Sequence, residues 1–365
     1  MNKHPEVGTY ISQAGNRGRI YGRLQYMNQE KIVRTVCVFT QNPDESVLKK
    51  LDAIVQKLEQ NGYMVQTKRV ASTVKNVDRL NALSAKGIEY ISAGNATLTE
   101  ANQLLPAFYA NKALSFNVEL VQEEITNEHA QLLQEIIRTD ASKTFSFTYT
   151  FNNASSSPYF PSARYETDGF AIGLQPTDLS QGCNTLEEWL EKMKNAWQEI
   201  TELFAEEQDF LGIDSSIAPL FKGSSSFVNF VKRLGLTFEH SVTTNMYTMV
   251  TKFIKEQNPK PVGLCGMMLP CLEDFELADE YEAGNFSIER NIYLSLHSGL
   301  GIDTYPIGID EKPERIIEIL KLLQSLSNKY SKPLSARFVS DGKAKVGDKS
   351  VFQNQYLRDC VIRAL

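Results

Sequence analysis

A repeated alternation of β-branched runs with amphipathic helical stripes constrains the fold of this chain more than any other feature of its sequence. Residues 35–40 form a short apolar run typical of a buried parallel strand, and the apolar residues of 47–58 then recur with helical spacing. The two patterns return along most of the chain at intervals of about 30 residues, the size of one strand–helix–strand unit. Such alternation is typical of α/β proteins with parallel strands.

The alternation predicts ten strands with interleaved helices. The predicted strands are residues 35–40, 63–67, 88–92, 114–118, 145–151, 170–174, 213–217, 262–269, 302–307 and 334–339. The predicted helices are residues 47–58, 76–86, 98–110, 127–139, 186–204, 226–234, 243–257, 272–282, 287–298 and 313–327. No terminal strand carries the charge or the proline that usually protects an exposed sheet edge. The predicted fold is therefore a single ten-stranded α/β barrel built from two βα halves, with an open doubly wound sheet as the alternative.

The length of the chain is sufficient for one large domain. Its 365 residues, 42% of them hydrophobic, can bury a substantial core. Residues 31–365 are predicted to form the barrel domain. Residues 1–30 are an N-terminal extension, rich in glycine and arginine and without apolar periodicity. We expect this extension to pack outside the barrel, where a second subunit of a homo-oligomer is one surface it could cover, and a basic RNA-binding arm is the alternative.

Charge and cysteine content narrow the expected partners. A net charge of −6 argues against nucleic acid, because phosphate binding requires a basic surface. No stretch reaches about 18 consecutive apolar residues, so no membrane partner is expected. The chain begins without the apolar segment of a secretory signal, which favours the cytoplasm, and its five cysteines are then expected to be reduced thiols. A small molecule is the partner that remains.

No motif in the sequence predicts a metal site or a particular cofactor. The histidines are scattered along the chain, at His4, His129, His240 and His297. Neither a C-x-x-C nor an H-E-x-x-H spacing is present, and these are the spacings that commonly hold zinc. We therefore expect no metal, and the cofactor stays undetermined.

The candidate site residues follow or end the predicted strands, because ligand pockets of parallel α/β folds form at the carboxyl ends of strands. The candidate catalytic residues are Cys265, Cys271, Asp303 and Asp214. The candidate ligand-binding residues are Arg337, Arg164, His297, Ser298 and Lys343.

The two candidate thiols differ in their expected surroundings. Cys271 follows a proline turn and precedes an acidic helix start, and a thiol near a helix N-terminus has a lowered pKa. Cys265 lies within a predicted strand beside a glycine, where its thiol can face the barrel interior. The alternative for both is that they are small buried hydrophobic residues.

The charged candidates are expected to form pairs. Arg337 lies inside an apolar strand, where a guanidinium requires a carboxylate or an anionic ligand. Asp303 or Asp214 can supply that carboxylate, and Asp303 follows two glycines that leave its approach to a ligand open. The prediction is that Cys265, Asp303 and Arg337 share one interior cavity, and a purely structural ion pair is the alternative.

The remaining candidates lie in loops. Arg164 ends an aromatic segment fixed by two prolines, which suits an anionic ligand group, although a surface charge is the alternative. His297 and Ser298 precede the two glycines before Asp303, and Lys343 belongs to a lysine-rich loop.

These segments resemble the family called domain of unknown function 711, over residues 31–355. The most specific matches are residues 263–270 with 273–274, residues 301–304 with Pro306, and residues 332–337 with 342–343 and 347–348. The resemblance implies a ten-stranded α/β barrel of the kind found in pyruvate formate-lyase and ribonucleotide reductase, and it implies no established activity. Ser298 stands where this family usually has a cysteine, so a thiol mechanism in that loop is not expected.

The predicted function is that of an enzyme acting on a small polar or anionic metabolite in the barrel pocket. A non-catalytic sensor or scaffold for a small ligand, on the same barrel, is the alternative. The two differ in whether catalytic groups converge within hydrogen-bond reach. A glycyl radical, which fold analogy suggests, is not expected because residues 358–365 contain no glycine.

Overall fold

The computed structural model describes residues 31–365, in which ten strands form one sheet. The strands are β1 Lys31–Phe39, β2 Tyr63–Val65, β3 Lys68–Ala71, β4 Tyr90–Ala96, β5 Leu114–Glu119, β6 Phe147–Phe151, β7 Gly169–Leu174, β8 Phe210–Asp214, β9 Gly301–Pro306 and β10 Leu334–Val339. Their spatial order is β8-β7-β1-β3-β4-β5-β6-β10-β9, and β2 pairs with β1 beside β3. The packing predicted for residues 1–30 lies outside the described residues.

Helices alternate with most of these strands. They are α1 Ser46–Gln60, α2 Val77–Ser84, α3 Leu98–Ala110, α4 Asn127–Asp140, α5 Leu186–Leu203, α6 Phe227–Arg233, α7 Phe238–Ser241, α8 Met246–Gln257, α9 Phe275–Ala283, α10 Ile288–His297 and α11 Pro313–Tyr330. The apolar residues that recur with helical spacing in the sequence form the buried faces of these helices. In α5, for example, Trp189 and Trp197 are fully buried. The hydroxyl of Thr185 accepts a hydrogen bond from the backbone N–H of Glu188 and so caps the start of α5. None of the described helices is long and apolar enough to span a bilayer.

Strand direction divides the sheet into parallel groups. Strands β1, β3, β4, β5 and β6 run parallel to one another, as do β7 with β8 and β9 with β10. The groups meet in antiparallel pairs, β1 with β7 and β6 with β10. The α/β class and the number of strands are therefore confirmed.

The ladder of paired strands ends at β8 and β9 and does not close between them. Residues 262–269, predicted as a strand, contain no regular strand, because Gly263 and Cys265 have φ values of +72° and +44° that interrupt an extended chain. Isolated bridges nevertheless join Met267 to Ile217 on one side and to Gly299 on the other. The closed barrel predicted from the sequence is not confirmed by the strand pairing.

The sheet has ten strands although residues 262–269 do not form one, because β3 is a strand that the sequence did not predict. The sequence predicts a single strand at 63–67, whereas the chain forms β2 and then a separate β3. The first two residues of β3 are Lys68 and Arg69. Because half of this short strand is charged, its sequence does not show the apolar pattern by which strands are predicted. Arg69 is buried despite its charge, and it lies in the site described next.

Candidate functional site

A cavity of about 1180 Å³ lies against one face of the sheet. Strand side chains line it, among them Arg34 from β1, Arg69 from β3, Asp303 from β9 and Arg337 from β10. Its volume is slightly above the range of about 300–1,000 Å³ that is usual for pockets that bind a small organic ligand. Loop residues that precede β4, β5 and β6 also line it, among them Glu89, Lys112 and Lys143. The site therefore lies over the middle of the sheet and at the amino ends of these three strands, and the position at the carboxyl ends that the sequence predicted holds only in part, as at β8 and β10.

Arg337 is the centre of a buried charge cluster in this cavity. Its Nε donates to Oδ1 of Asp303 at 2.5 Å, and a terminal nitrogen donates to Oε1 of Glu273 at 2.5 Å. The other terminal nitrogen donates to the carbonyl oxygen of Phe145 at 3.2 Å. The predicted ion pair with Asp303 is present, and Glu273 is a second partner that the sequence reasoning did not assign to Arg337. Each of the three nitrogens of this guanidinium donates to a protein acceptor, and two of the acceptors are carboxylates that offset its charge.

Glu273 lies between two arginines. Its Oε2 is 3.5 Å from a terminal nitrogen of Arg34, whose other terminal nitrogen donates to Gln175 at 3.5 Å. Burial raises the pKa of this carboxyl, while Arg337 and Arg34 act in the opposite direction. Glu273 is thus a carboxylate of perturbed pKa that faces a cavity.

Arg69 is a buried cation without a counter-charge. The residue is 7% exposed, and its Nε and NH1 donate to the Thr67 hydroxyl at 3.1 Å and to the Pro158 carbonyl at 3.4 Å. The rings of Tyr90 and Phe160 lie 5.2 and 5.0 Å from its guanidinium carbon. Within residues 31–365 it forms no ion pair, and burial together with the neighbouring Arg34 lowers its pKa to about 10. At neutral pH it therefore presents a positive charge to the cavity.

Asp214, a candidate catalytic residue, is not among the residues that line this cavity. Its two oxygens accept hydrogen bonds from the hydroxyls of Ser157 and Ser216 and from the amides of Ser216, Leu264 and Cys265, at 2.6–3.2 Å. A side chain saturated in this way holds two loops together. It is not the partner of Arg337, and its burial and full complement of donors leave no approach for a substrate.

The candidate thiols are also buried away from the cavity lining. The Cys265 thiol donates to the carbonyl of Val262 at 3.4 Å, and burial raises its pKa to about 12. Cys271 is fully buried, and burial raises its pKa well above the ordinary value. The lowered pKa predicted for Cys271 is therefore wrong, because desolvation outweighs the nearby start of α9. The structure does not bring Cys265 into one cavity with Asp303 and Arg337.

We expect the thiols of the native protein to resist modification. All five cysteines are buried and free, so Ellman's reagent should release less than one equivalent of its chromophore within minutes from the folded chain. The reason is that a thiolate, the reactive form, is disfavoured by burial. The unfolded, unreduced protein should release all five equivalents. Rapid reaction of a thiol before unfolding would contradict the buried positions of these side chains.

His297, Ser298 and Arg164 lie elsewhere. Nδ1 of His297 is 2.8 Å from the Ser298 hydroxyl, which accepts a hydrogen bond from Thr251 at 3.4 Å. Arg164 donates to the Asn153 carbonyl at 3.1 Å and contacts Glu119 at 3.5 Å. None of the three candidates lines the cavity of about 1180 Å³. These contacts are those of local structural networks.

The cavity brings together Asp303, Arg337 and Lys343 from among the predicted residues. The sequence reasoning did not select Arg34 and Arg69, which the structure adds. For Arg34 a signal was available: like Arg337, it is a charged residue within an apolar run, where burial requires a partner.

Anionic groups suit this cavity better than metal ions. Across residues 31–365 no group of three or more histidine, cysteine or acidic side chains is arranged to hold a metal. The carboxylates of Asp303 and Glu273 are already occupied by arginine. Arg69, with Arg34 beside it, is suited instead to a carboxylate or phosphate group.

A family model described as "Uncharacterised ACR (DUF711)" matches residues 110–353 of the chain, about two thirds of its length. The chain belongs to the DUF711 family. The matched DUF711 region contains Glu273, Asp303 and Arg337, while Arg34 and Arg69 precede it. No curated protein matches the chain.

Proposed function

We propose that this DUF711 protein is an enzyme that binds a small anionic metabolite in the cavity and acts on it there. The observation that carries the proposal is Arg69, a cavity-lining guanidinium that is 7% exposed and has no carboxylate partner within residues 31–365. An unpaired buried charge costs several kcal/mol, and a bound anion removes that cost. Arg34 strengthens the local positive potential, because it acts on Arg69 as a like charge.

Other acidic groups of residues 31–365 lie in or near the cavity, but none forms an ion pair with Arg69: Glu89, Asp140 and Asp341 belong to its lining, and Asp178 acts on Arg34. Asp178 interacts electrostatically with Arg34, but its carboxylate accepts hydrogen bonds from the hydroxyls of Ser225 and Ser224 at 2.6 and 3.5 Å. It does not line the cavity and does not contact Arg69. Among residues 31–365, no carboxylate therefore pairs with the charge of Arg69.

The carboxylates of the same cavity support catalysis rather than binding alone. Glu273 and Asp303 both face the cavity, and burial raises the pKa of Glu273. A carboxyl group of perturbed pKa in a cleft is a candidate general acid or base. We propose these two residues as the proton-transfer groups, with the anion held by Arg69. Neither a thiol nor a glycyl radical is part of this proposal.

We also propose that the sheet is the main part of a ten-stranded barrel of the pyruvate formate-lyase type. Segment 261–270 lies between the two sheet edges and makes isolated bridges to residues on both sides. The antiparallel pairs, β1 with β7 and β6 with β10, divide the sheet in a way that is consistent with two parallel halves. A crystal structure in which this segment separates from either edge would contradict the barrel.

The experiment that tests the function is a binding screen followed by product analysis. The full chain is mixed with a panel of mono- and dicarboxylic acids and phosphate esters, and its melting temperature is measured for each. Compounds that stabilise it are then incubated with the protein and analysed by mass spectrometry. Conversion of a stabilising compound supports an enzyme. Recovery of every stabilising compound intact would contradict catalysis and favour a sensor, and the absence of any stabilising anion would contradict the whole proposal.

The Arg69→Met variant should bind the stabilising anions of this panel at least about tenfold more weakly, because it loses a charge-assisted hydrogen bond. Its melting temperature without ligand should be equal to that of the wild type or higher, since the variant no longer buries an unpaired charge. Isothermal titration calorimetry and thermal melting measure the two effects.

The matched control for this variant is Arg164→Met, which removes an arginine outside the cavity lining. It should leave anion affinity unchanged. A large loss of stability in Arg69→Met with unaltered affinity would show that Arg69 is a structural cation.

A further inference from the structure

Asp303 presents to the cavity a carboxylate oxygen that no side chain or amide of residues 31–365 contacts. Its Oδ1 accepts the hydrogen bond from Nε of Arg337 at 2.5 Å, whereas its Oδ2 has no hydrogen-bond partner in this part of the chain. The residue is 5% exposed, and it lines the same cavity as Arg69. This oxygen is not one of the fully enclosed polar atoms that lack a partner, so it is accessible from the cavity, where water or a ligand can donate a hydrogen bond to it.

Glu273 differs from Asp303 in this respect. Its Oε1 accepts from Arg337 at 2.5 Å, and its Oε2 faces Arg34 at 3.5 Å. Both of its oxygens are therefore paired with guanidinium groups. The two carboxylates share Arg337 but are not equivalent, and only Asp303 has an oxygen left for a ligand donor within the described residues.

We propose that the ligand of this cavity carries a hydrogen-bond donor, a hydroxyl or an ammonium group, that binds Oδ2 of Asp303, in addition to the anionic group that binds Arg69. The ligand class is thus a hydroxy acid or an amino acid. This inference rests on the proposed function, because it takes the anion site at Arg69 as given.

The selectivity follows from the hydrogen bond that Oδ2 of Asp303 loses when a ligand displaces water from the cavity. An acid without a hydroxyl or ammonium group would displace water from Oδ2 of Asp303 without replacing its hydrogen bond. Sites that present a buried polar group to a substrate reject the analogue that lacks the matching group. A metal ion is a poorer occupant, because no group of three or more histidine, cysteine or acidic side chains in residues 31–365 is arranged to hold one.

The test uses straight-chain carboxylic acids of three to six carbons, each with its hydroxy- and amino-substituted isomers. Calorimetry with the full chain measures their affinities. We expect at least one substituted isomer to bind about tenfold or more tightly than the unsubstituted acid, the usual contribution of a hydrogen bond to a charged group. The hydroxy and amino series distinguish the two kinds of donor. The O-methyl ether of the preferred hydroxy acid, or the N,N,N-trimethyl derivative of the preferred amino acid, should lose this gain.

Two variants locate the effect. In Asp303→Asn, an amide that keeps its oxygen on Arg337 turns its NH₂ toward the ligand, so the preference for the substituted acid should fall to about onefold. Glu273→Gln is the matched control: it removes a carboxylate from the same arginine and should retain the preference. If Asp303→Asn does not fold, the comparison with the methylated derivatives in the wild type is decisive alone.

The possible results distinguish a failure of this inference from a failure of the proposed function. Equal affinity for substituted and unsubstituted acids, or a preference that persists in Asp303→Asn, overturns the donor inference, while the anion site stands if Arg69→Met weakens all the acids alike. Failure of every acid to bind, or affinities unaffected by Arg69→Met, overturns the proposed function itself.

Discussion

The Arg337→Met variant should lose about 3–5 kcal/mol of unfolding free energy, the usual effect of removing one partner from a buried ion pair. The substitution leaves Asp303 and Glu273 as buried carboxylates without the guanidinium that they share. Arg34 stays 3.5 Å from Glu273 but forms no ion pair with Asp303, so it compensates only in part. Urea denaturation at neutral pH measures the loss.

The deficit of Arg337→Met should become smaller as the pH falls. Without Arg337, which opposes the effect of burial, the folded-state pKa of the Glu273 carboxyl rises further above its unfolded-state value. The folded state then binds more protons than the unfolded state, so stability increases as the pH decreases through the folded-state pKa. Denaturation at about pH 8 and about pH 5 should show the difference, since the unfolded-state carboxyls titrate near pH 4. A deficit that is the same at both pH values would contradict this origin.

Two control variants test whether the loss of charge pairing causes the lower stability of Arg337→Met. The triple variant Arg337→Met/Asp303→Asn/Glu273→Gln carries no charge in the cluster and should recover much of the lost stability. Arg138→Met removes an exposed arginine paired with Glu135 on α4 and should change stability by less than about 0.5 kcal/mol. A triple variant as unstable as the single one would assign the loss to packing instead of charge.

The pairing of Arg337 with Asp303 could be predicted from the sequence because a charged residue within an apolar strand is recognisable without knowledge of the fold. A guanidinium within an apolar strand must find a carboxylate or an anion, and Asp303 lies in a neighbouring predicted strand. The second partner, Glu273, could not be assigned, because it lies in a turn before α9 whose position depends on how segment 261–270 runs. Pairs between regular strands are predictable, and pairs that depend on irregular segments are not.

Arg69 was missed for a different reason. Strand β3 has four residues, of which the first two are Lys68 and Arg69, so its apolar signal is two residues long. The burial of Arg69 depends on the side chains packed around it, including the rings of Tyr90 and Phe160. Such an environment is assembled from three distant parts of the chain, and no local pattern contains it.

The thiols show where sequence reasoning about pKa fails. Closeness to a helix start can be read from spacing, but burial cannot, and burial determines the pKa of Cys271. For Cys265 the apolar pattern of 262–269 predicts a strand, yet the positive φ at this residue interrupts one. Its thiol is directed to the carbonyls of Ile213 and Val262 at 3.7 and 3.4 Å. Backbone conformation, rather than composition, decides where this side chain points.

Replacing Asp214 by asparagine should lower the unfolding free energy by about 2–3 kcal/mol, although the two side chains have nearly the same shape. One oxygen of Asp214 accepts the amides of Ser216 and Cys265, and the other accepts the amide of Leu264. Whichever way the new amide is oriented, its NH₂ faces at least one backbone N–H, which cannot rotate to become an acceptor. Chemical denaturation should show the loss. Asp209→Asn is the matched control, because Asp209 is an exposed partner of Lys50, and its effect should stay below about 1 kcal/mol.

A second measurement tests whether the loss of stability in Asp214→Asn comes from the loop whose amides donate to Asp214. The backbone amide of Cys265 is one of the donors to Asp214, so weakening that contact should expose the Cys265 thiol. Ellman's reagent should then modify Cys265 in the folded variant faster than in the wild type, and Cys265→Ser in the same background should remove the new reactivity. Thiol exchange through local opening increases as the local free energy of opening falls. Normal stability together with an unreactive Cys265 would show that these loops are held by contacts other than Asp214, and the carboxylate would then have to be reconsidered as a functional group.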